Sequence, residues 1–306
     1  MRYILITGGT GFIGSHLVEA LLNNGKKVIL LKRSFSDLWR IKELISNRNL
    51  ILINIDEVDL VDIFKKYDIK GIFHLSTFAQ RIHEYNSISN MINTNIDFPT
   101  LLLDNAVNFG VDFFINTGSH FEFSFKSSPI SENSNIHPFN LYAATKIAFE
   151  DILKYYNENY NLNALTLKFF TPYGPKDDIN KITPYLIINS IKKNKILIKS
   201  PSKELDFTYI DDIVNSYICA MDNIKNIEGY KSFTIGTGKS TSIPQLLSII
   251  EKYLGKNTHV SYGDLEDDKV FCSYESAEKL LKWKPTVSLE NGIRKTIEYY
   301  NSINID

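Results

Sequence analysis

Two adjoining stretches decide the fold: Arg2-Tyr-Ile-Leu-Ile6, followed without a break by Thr7-Gly-Gly-Thr-Gly-Phe-Ile-Gly14. The first is apolar and predicts a buried strand, while apolar residues at helical spacing from Ile13 to Leu22 predict a helix that stops near Gly25. Residues 28–31 are again apolar and predict a second strand. Strand, glycine turn, helix and strand form the first crossover of a dinucleotide-binding sheet, so we expect a parallel α/β fold.

The three glycines of the turn have separate expected roles. Gly8 permits the tight turn, Gly11 lets the backbone approach a pyrophosphate, and Gly14 lets the helix pack closely on the strand. Phe12 and Ile13 follow Gly11, so the phosphates would lie against the N–H groups of this helical turn, where the helix dipole favours negative charge. An ordinary strand-to-helix turn is the alternative, but the position directly after a strand favours nucleotide binding.

The composition narrows the class of protein. A chain of 306 residues is long enough for a doubly wound parallel (Rossmann) sheet plus a smaller appended region. The formal net charge of −1 gives no reason to expect nucleic acid or an anionic membrane as partner. Cys219 and Cys272 make neither a disulfide framework nor a metal site. Because the first strand begins at Tyr3 and no apolar run approaches about 20 residues, we expect no signal peptide, no membrane span and a cytoplasmic protein.

The residues after the second strand concern the choice of cofactor. An NAD site usually places an acid here to accept hydrogen bonds from the ribose 2′-hydroxyl, but this chain has Lys32, Arg33 and Ser34. Two cations and a hydroxyl suit a 2′-phosphate and favour NADP(H). NAD(H) is the alternative cofactor. If these residues have no role in cofactor binding, they form an ordinary solvated loop. Residues 50–55 predict the third strand, and Asp56 at its end is placed to meet an adenine amino group.

The fourth predicted strand, residues 71–75, leads to further candidates. His74 lies inside this apolar strand and is expected to be a core histidine, whereas Leu75 at its end is a candidate cofactor contact. Loops that leave the C-terminal ends of parallel strands line the ligand crevice. Arg81 and His83 in the next loop are therefore candidate substrate contacts, although Arg81 could equally be a solvated arginine.

A serine, a tyrosine and a lysine suggest proton chemistry. A helix is predicted over 93–109, and the fifth strand, 113–116, leads to Ser119. Tyr142 and Lys146 are four residues apart at the start of a long predicted helix, so they share one face. A neighbouring ammonium favours the phenolate and helps a phenol exchange protons near neutrality, and Ser119 could hold the same substrate oxygen. In isolation, such a pair is usually a surface feature.

Several motifs together resemble the extended short-chain dehydrogenase/reductase family, in the branch that acts on nucleotide sugars. The resemblance extends over essentially the whole chain and is carried by Thr7–Gly14, Ser119, Tyr142-Ala-Ala-Thr-Lys146, Phe170-Thr-Pro-Tyr-Gly-Pro175, Asp206-Phe-Thr-Tyr-Ile-Asp-Asp212, Phe233-Thr-Ile-Gly-Thr-Gly238, Leu281-Lys-Trp-Lys-Pro285 and Leu289-Glu-Asn-Gly-Ile-Arg294. It implies that Tyr142 is the general acid/base on the sugar oxygen, that Lys146 binds the nicotinamide ribose and tunes Tyr142, and that Ser119 orients the substrate.

The same resemblance implies a domain organisation. Residues 1–170 would form the dinucleotide-binding domain, to which about 206–236 return, and about 171–205 and 237–306 would form a discontinuous C-terminal substrate-binding region. We also expect a homodimer.

Two positions depart from the family pattern. Family members commonly carry an arginine just before the Asp-Phe pair, where it clamps the sugar-nucleotide pyrophosphate, and this chain has Leu205 there. Lys203, Lys199 or Arg81 could take over that contact. Thr171, a further candidate substrate contact, occupies a position where the family often has asparagine.

The residues after Ser119 bear on the type of reaction. Similar sugar 4,6-dehydratases place an Asp-Glu pair there, and relatives that epimerise C3 and C5 place a cysteine two residues after the serine. Here the positions hold His120 and Phe121, both candidate substrate contacts. Phenylalanine cannot take a proton from C5, and Glu122, if the segment is extended, points away from the side of Phe121.

The remaining type of reaction is reduction of a keto group, which needs only a hydride and one proton. We therefore predict an NADPH-dependent reductase acting on the 4-keto group of a nucleotide-linked 4-keto-6-deoxysugar, in surface-polysaccharide biosynthesis. A nucleotide-sugar 4-epimerase with tightly bound NAD is the alternative, followed by a 4,6-dehydratase and a non-catalytic NADP-binding protein.

Overall fold

Seven parallel strands form the central sheet of the computed structural model, which describes residues 2–80, 82–125, 128–266 and 268–303. In chain order they are β1 (Tyr3–Thr7), β2 (Val28–Lys32), β3 (Leu50–Asn54), β4 (Ile69–His74), β5 (Phe113–Ser119), β6 (Asn163–Phe169) and, later in the chain, β11 (Lys231–Ile235). Their order across the sheet is β3-β2-β1-β4-β5-β6-β11, so the direction of winding reverses between β1 and β4. The ligand crevice of such a sheet opens at this reversal, beside the C-terminal ends of the strands.

Helices cover both faces of the sheet, which is why its strands are apolar almost throughout. The helices are α1 (Phe12–Asn23), α2 (Leu60–Lys66), α3 (Tyr85–Ile92), α4 (Phe98–Asn108), α5 (Leu141–Tyr160), α6 (Ile182–Lys192), α7 (Ile210–Asn223), α8 (Ile243–Leu254) and α9 (Leu289–Ser302). Buried side chains of α1 and α7 pack on one face, and those of α2, α4 and α5 pack on the other. The predicted doubly wound α/β fold is confirmed.

Short strands outside this sheet form three smaller sheets. They are β7 (Thr171–Tyr173), β8 (Ile196–Ile198), β9 (Glu204–Leu205), β10 (Phe207–Tyr209), β12 (Thr241–Ser242), β13 (Val260–Tyr262) and β14 (Lys269–Val270). β7 pairs with β10, β8 with β13, and β9 with both β12 and β14. The chain thus leaves the central sheet after β6 and returns to it at β11, while the division into two domains stays a prediction.

Two buried carboxylates connect distant parts of this C-terminal half. Asp206 accepts hydrogen bonds from the backbone N–H groups of residues 237 and 238, at 2.7 and 3.0 Å. Asp212, in the first turn of α7, accepts hydrogen bonds from the N–H groups of residues 286 and 287, both at 3.0 Å. The motif that runs from Asp206 to Asp212 therefore fixes two turns that lie far away in sequence.

The predicted boundaries hold for most elements but fail around the end of β5. The helix predicted over 93–109 consists of one π-helical turn, Asn93–Asp97, followed by α4, and α3 precedes it. β5 runs further than predicted, to Ser119. Residues His120–Glu122 form a 3₁₀ turn, so the expectation of an extended segment at Glu122 is wrong.

Two other sequence expectations concern cysteine and the membrane. Cys219 is half-buried and Cys272 is buried, and both are free thiols. Within the described ranges, no helix is both long enough and apolar enough to cross a membrane.

The turn between β1 and α1 is so tightly packed that it needs glycine at two positions. Gly8 has a φ of +71°, and a Cβ there would lie 2.6 Å from the carbonyl carbon of Leu75 and from the nitrogen of Ser76. A Cβ on Gly14 would collide with the Gly8 carbonyl oxygen and lie 2.6 Å from Cα of Gly9. The conformational roles predicted for Gly8 and Gly14 agree with these contacts.

We expect Gly14→Ala to lower the free energy of unfolding by about 1–3 kcal/mol, because the added methyl group must displace backbone atoms. Gly11→Ala is the matched control, since Gly11 has an ordinary φ of −79° and a Cβ would meet only the Gly8 carbonyl oxygen, at 3.2 Å. Urea denaturation of both variants measures the difference. Equal stability of Gly14→Ala and the parent protein would contradict the packing described here.

Candidate active site

Thr7, the last residue of β1, connects β1 to the end of β4, where the winding of the sheet reverses. Its hydroxyl oxygen accepts hydrogen bonds from the backbone N–H groups of Leu75 and Ser76, both at 3.2 Å, and lies 2.8 Å from Nδ1 of His74. Burial lowers the pKa of His74 far below its ordinary value, and the positive charge of Lys146 lowers it further. His74 is therefore a neutral, hydrogen-bonded core histidine, as predicted.

Asn95, in the π-helical turn before α4, fixes the loop that follows β4. Its side-chain oxygen accepts hydrogen bonds from the N–H of Phe78 (2.7 Å) and the hydroxyl of Thr77 (3.1 Å). Its side-chain nitrogen donates to the Phe78 carbonyl (3.2 Å) and to Oγ1 of Thr145 in α5 (2.9 Å). One buried side chain thus joins this loop to α5, and π-helical turns are frequent at functional sites. Sequence analysis missed Asn95, because nothing in the sequence distinguishes it from the asparagines nearby.

Ser119 and Tyr142 meet where β5 ends and α5 begins. The side-chain oxygen of Asn140 caps α5 by accepting a hydrogen bond from the N–H of Ala143 at 2.9 Å, which fixes Tyr142 in the first helical turn. The hydroxyls of Ser119 and Thr77 lie close enough to the Tyr142 phenol for each to lower its pKa. The structure thus brings the predicted serine and tyrosine together and adds Thr77, which the sequence analysis did not single out.

The protonation states of Tyr142 and Lys146 differ from the sequence-based expectation. Tyr142 keeps part of its surface exposed, yet burial of the phenol raises its pKa to about 12, and the negative charge of Glu122 acts in the same direction. Burial lowers the pKa of Lys146 to about 8, against the opposing effects of Glu122 and Glu150. The prediction that the ammonium would favour the phenolate is therefore wrong for this structure, and Tyr142 is a neutral phenol at neutral pH.

A buried cluster of charged side chains adjoins these residues. Oε1 of Glu122 accepts a hydrogen bond from the backbone N–H of Ser119 at 2.6 Å, and Oε2 lies 2.9 Å from Nζ of Lys168. The same Nζ lies 2.8 Å from Oε2 of Glu150 in α5. Both oxygens of Glu122 are engaged within the protein. The expectation that Glu122 points away from the side of Phe121 depended on an extended segment, and the 3₁₀ turn removes that basis.

An aromatic wall follows Ser119 and precedes Tyr142. It consists of His120, Phe121, Phe125 and Phe139, with ring centres 4.2 Å apart for His120 and Phe121, and 5.8 Å apart both for Phe121 and Phe139 and for Phe125 and Phe139. The N–H of Phe139 donates a hydrogen bond to the Phe121 carbonyl at 3.0 Å. Two predicted substrate contacts, His120 and Phe121, are therefore part of one apolar surface beside the serine and the tyrosine.

The N-terminus of α1 fits a dinucleotide pyrophosphate. Its cap residue, Gly11, has no side chain that could occupy the free N–H groups, and the first turn contains no acidic residue. Phe12 is buried and Ile13 is half-buried, so the surface of this turn is largely backbone. Free N–H groups and the positive end of the helix dipole favour a bound anion.

The residues predicted to select the cofactor lie at the ends of β2 and β3. Nζ of Lys32 donates a hydrogen bond to Oδ1 of Asn54 at 2.5 Å, whereas Arg33 is exposed, with its guanidinium 4.8 Å from the centre of a phenylalanine ring. Asp56 accepts hydrogen bonds from the hydroxyl and the N–H of Ser34, at 2.6 and 2.8 Å, and these lower its pKa. Arg33 is thus the more accessible of the two cations, and an adenine contact by Asp56 stays a prediction.

Comparison with known protein families identifies the family of this chain. The sequence model of the NAD dependent epimerase/dehydratase family matches residues 4–236. The chain belongs to this family. The resemblance inferred from the sequence motifs is confirmed, and the protein is an enzyme that uses a nicotinamide dinucleotide.

Several members of the epimerase/dehydratase family are similar over almost the whole chain. CDP-abequose synthase from Salmonella typhimurium is 28% identical, over 97% of this chain and 98% of its own. UDP-glucuronate 4-epimerase from Thermodesulfobacterium geofontis is 31% identical, over 98% and 96%. The solved structure of UDP-glucuronic acid 4-epimerase from Bacillus cereus with UDP-glucuronic acid and NAD has a TM-score of 0.89 at 28% identity, over 98% and 99%. A synthase and two epimerases are about equally similar, so identity alone does not select one reaction.

The other predicted substrate contacts lie apart from this serine and tyrosine in sequence. Leu205, at the family's arginine position, is buried in β9 and carries no charge for a pyrophosphate. Lys203 is half-buried just before β9, Thr171 is half-buried in β7, and His83 is exposed before α3. Arg81 lies outside the described residues.

Among the residues that the structure describes, no group of three His, Cys, Asp or Glu side chains could hold a metal ion.

Proposed function

We propose that this enzyme reduces the 4-keto group of a nucleotide-linked 4-keto-6-deoxysugar and uses NADPH. The observation that carries the proposal is the phenol of Tyr142 next to Ser119, with Phe121 where a dehydratase would need a carboxylate. Reduction of a ketone requires one proton donor at the carbonyl oxygen and no base at the neighbouring carbons. A homodimer, a cytoplasmic location and a role in surface-polysaccharide biosynthesis stay predictions.

The side chains present suit the two halves of such a reduction. The nicotinamide cofactor, when bound, supplies the hydride. The Ser119 hydroxyl orients the sugar carbonyl, and the Tyr142 phenol donates the proton that converts its oxygen to a hydroxyl. The neighbouring hydroxyls of Thr77 and Ser119 act to lower the pKa of Tyr142 and so assist the transfer. Lys146 is an ammonium below its pKa of about 8 and lies one helical turn from the phenol.

The protonation of Tyr142 favours reduction over oxidation as the first step. An epimerase must begin by removing the proton of a sugar hydroxyl, for which Tyr142 would have to be a phenolate. A pKa of about 12 keeps it protonated at neutral pH. A 4-epimerase with tightly bound NAD is nevertheless the second candidate, because a relative that is 31% identical is a UDP-glucuronate 4-epimerase.

The residues after Ser119 argue against elimination of water. Phe121 cannot accept a proton from C5, and both carboxylate oxygens of Glu122 are engaged, with the Ser119 N–H and with Lys168. Neither Phe121 nor Glu122 is therefore available as the base that a 4,6-dehydratase requires.

The aromatic wall supports a deoxysugar as the substrate. Rings beside the serine and the tyrosine can pack against a C6 methyl group, whereas the C6 carboxylate of a uronic acid would lose hydration there without gaining a charged partner from the phenylalanines. The similarity to CDP-abequose synthase supports a nucleotide-linked substrate.

The direct test offers the purified protein CDP-, dTDP- and GDP-linked 4-keto-6-deoxyhexoses with NADPH. We expect stoichiometric loss of absorbance at the NADPH band and a 4-hydroxyl product by NMR. Elimination of water from a non-keto nucleotide hexose would identify a dehydratase. Inversion at C4 without net consumption of NADPH would identify an epimerase, and either result would reject the reductase.

Tyr142→Phe keeps the ring but removes the proton donor. We expect turnover to fall by about 10²–10⁴, with the affinity for NADP(H) little changed. Steady-state kinetics and a fluorescence titration of the cofactor measure the two quantities. Near-normal turnover would mean that Tyr142 is structural.

Arg33→Ala tests the choice of cofactor. Loss of a charge-assisted contact to the 2′-phosphate costs about 1.5–3 kcal/mol, or roughly 10–150-fold in affinity, and should affect NADPH only. NADH binding to the same variant is the internal control. Equal losses for the two cofactors would show that Arg33 does not contact the 2′-phosphate.

A further inference from the structure

We propose that Glu122 is a positioning residue of the reaction centre: its buried carboxylate holds the backbone of Ser119 and balances the charge of Lys146. This inference rests on the proposed function, since it assigns a role within the same site. Nothing in the sequence resemblance assigns a role to this position.

The side chain of Glu122 is buried and held by two specific contacts. Its side chain is 0% exposed and that of its partner Lys168 is 2% exposed. Oε1 lies 2.6 Å from the Ser119 nitrogen, and Oε2 lies 2.9 Å from Nζ of Lys168. Each oxygen lies within 3 Å of a nitrogen that carries hydrogen, an environment that favours the carboxylate, while burial raises the pKa of Glu122 to about 7. The hydrogen bond to the Ser119 nitrogen fixes the residue whose hydroxyl lies beside the Tyr142 phenol.

The carboxylate of Glu122 lies close to the backbone of Gly118. A Cβ on Gly118 would lie 3.0 Å from Oε1 of Glu122 and 2.8 Å from Cγ of Lys168. Nζ of Lys168 also lies 4.7 Å from the centre of the Phe123 ring. Glycine directly before Ser119 is therefore what allows the carboxylate to reach the serine backbone.

The charges around Glu122 come from several elements. The titratable groups that interact with it are Lys168 from β6, Glu150, Lys146 and Tyr142 from α5, and Tyr230, which directly precedes β11. Burial raises the pKa of Glu122, and Lys168 opposes that shift. Two carboxylates and two ammonium groups, those of Glu122, Glu150, Lys146 and Lys168, sum to zero formal charge, so removal of one carboxylate leaves a buried positive charge.

Glu150 is the control that separates the link to the Ser119 backbone from the effect of negative charge on the lysines. It pairs with the same Lys168 nitrogen, at 2.8 Å, and it also acts on Lys146. The contacts that join the cluster to Ser119 and that influence Tyr142 come from Glu122 instead. The two carboxylates therefore share the ammonium and differ in their link to the serine.

The experiment compares Glu122→Gln with Glu150→Gln in the full chain, using the nucleotide 4-keto sugar and NADPH. For Glu122→Gln we expect kcat to fall about 10- to 100-fold, because the neutral amide oxygen holds the Ser119 N–H more weakly than a carboxylate does and leaves the charge of Lys168 only partly paired, while KM and cofactor affinity stay within about threefold. The alkaline limb of the kcat profile should also move to lower pH, because loss of the carboxylate lowers the pKa of Lys146. For Glu150→Gln we expect the alkaline limb to move in the same direction, since Glu150 also acts on Lys146, but a much smaller loss of kcat, because the printed link to the Ser119 backbone comes from Glu122. Equal kcat losses in both variants, or an unchanged kcat and pH profile in Glu122→Gln, would overturn the proposal.

A second measurement separates this proposal from the proposed function. In protein labelled with 13C at lysine Cε, with Lys146→Met identifying the resonance, Lys146 should titrate at lower pH in Glu122→Gln than in the parent, whether or not any sugar is turned over. If Glu122→Gln does not fold, the Ser119 amide resonance of the parent should titrate together with the 13C-labelled carboxyl carbon of Glu122. Failure of turnover with a shifted Lys146 titration rejects only the substrate assignment. An unshifted Lys146, or an amide that ignores the carboxyl titration, rejects the role of Glu122.

Discussion

The close approach of the β1–α1 turn to the loop after β4 is the constraint on which the site depends. Gly8 packs directly against the backbone of Leu75 and Ser76, and the Thr7 hydroxyl accepts hydrogen bonds from both of their N–H groups. Asn95 then ties the continuation of that loop to α5. The glycine turn that fits the pyrophosphate is thus connected to α5 through the loop after β4 and the side chains of Asn95 and Thr145.

Burial explains why the pKa values of Tyr142 and Lys146 differ from those expected for a tyrosine beside a lysine at a protein surface. In a low-dielectric environment the neutral form of each group is favoured, so the pKa of Tyr142 rises and that of Lys146 falls. Glu122 counteracts the shift on the lysine and reinforces the shift on the tyrosine. A single carboxylate therefore favours the state in which the phenol holds its proton and the lysine is charged.

Sequence patterns predicted the fold well, because strands, glycine turns and amphipathic helices are local features with their own periodicity. Ser119, Tyr142 and Lys146 could be named from the motifs that contain them. The ion cluster could not, since it depends on the register that places Lys168 beside Gly118 across β5 and β6. The error about Tyr142 has a related cause: a spacing of four residues reports proximity on a helix face, but it carries no information about burial.

The segments that follow Ser119 and precede Tyr142 are tied together by three backbone hydrogen bonds, between residues 124 and 135, 137 and 122, and 139 and 121. The rings of the aromatic wall and the groups that would perform the chemistry therefore belong to one hydrogen-bonded unit. A substitution that reshapes the wall will also displace the serine or the tyrosine. We therefore expect mutations that broaden substrate range to be epistatic with mutations that restore rate, because both act on the same hydrogen-bonded unit.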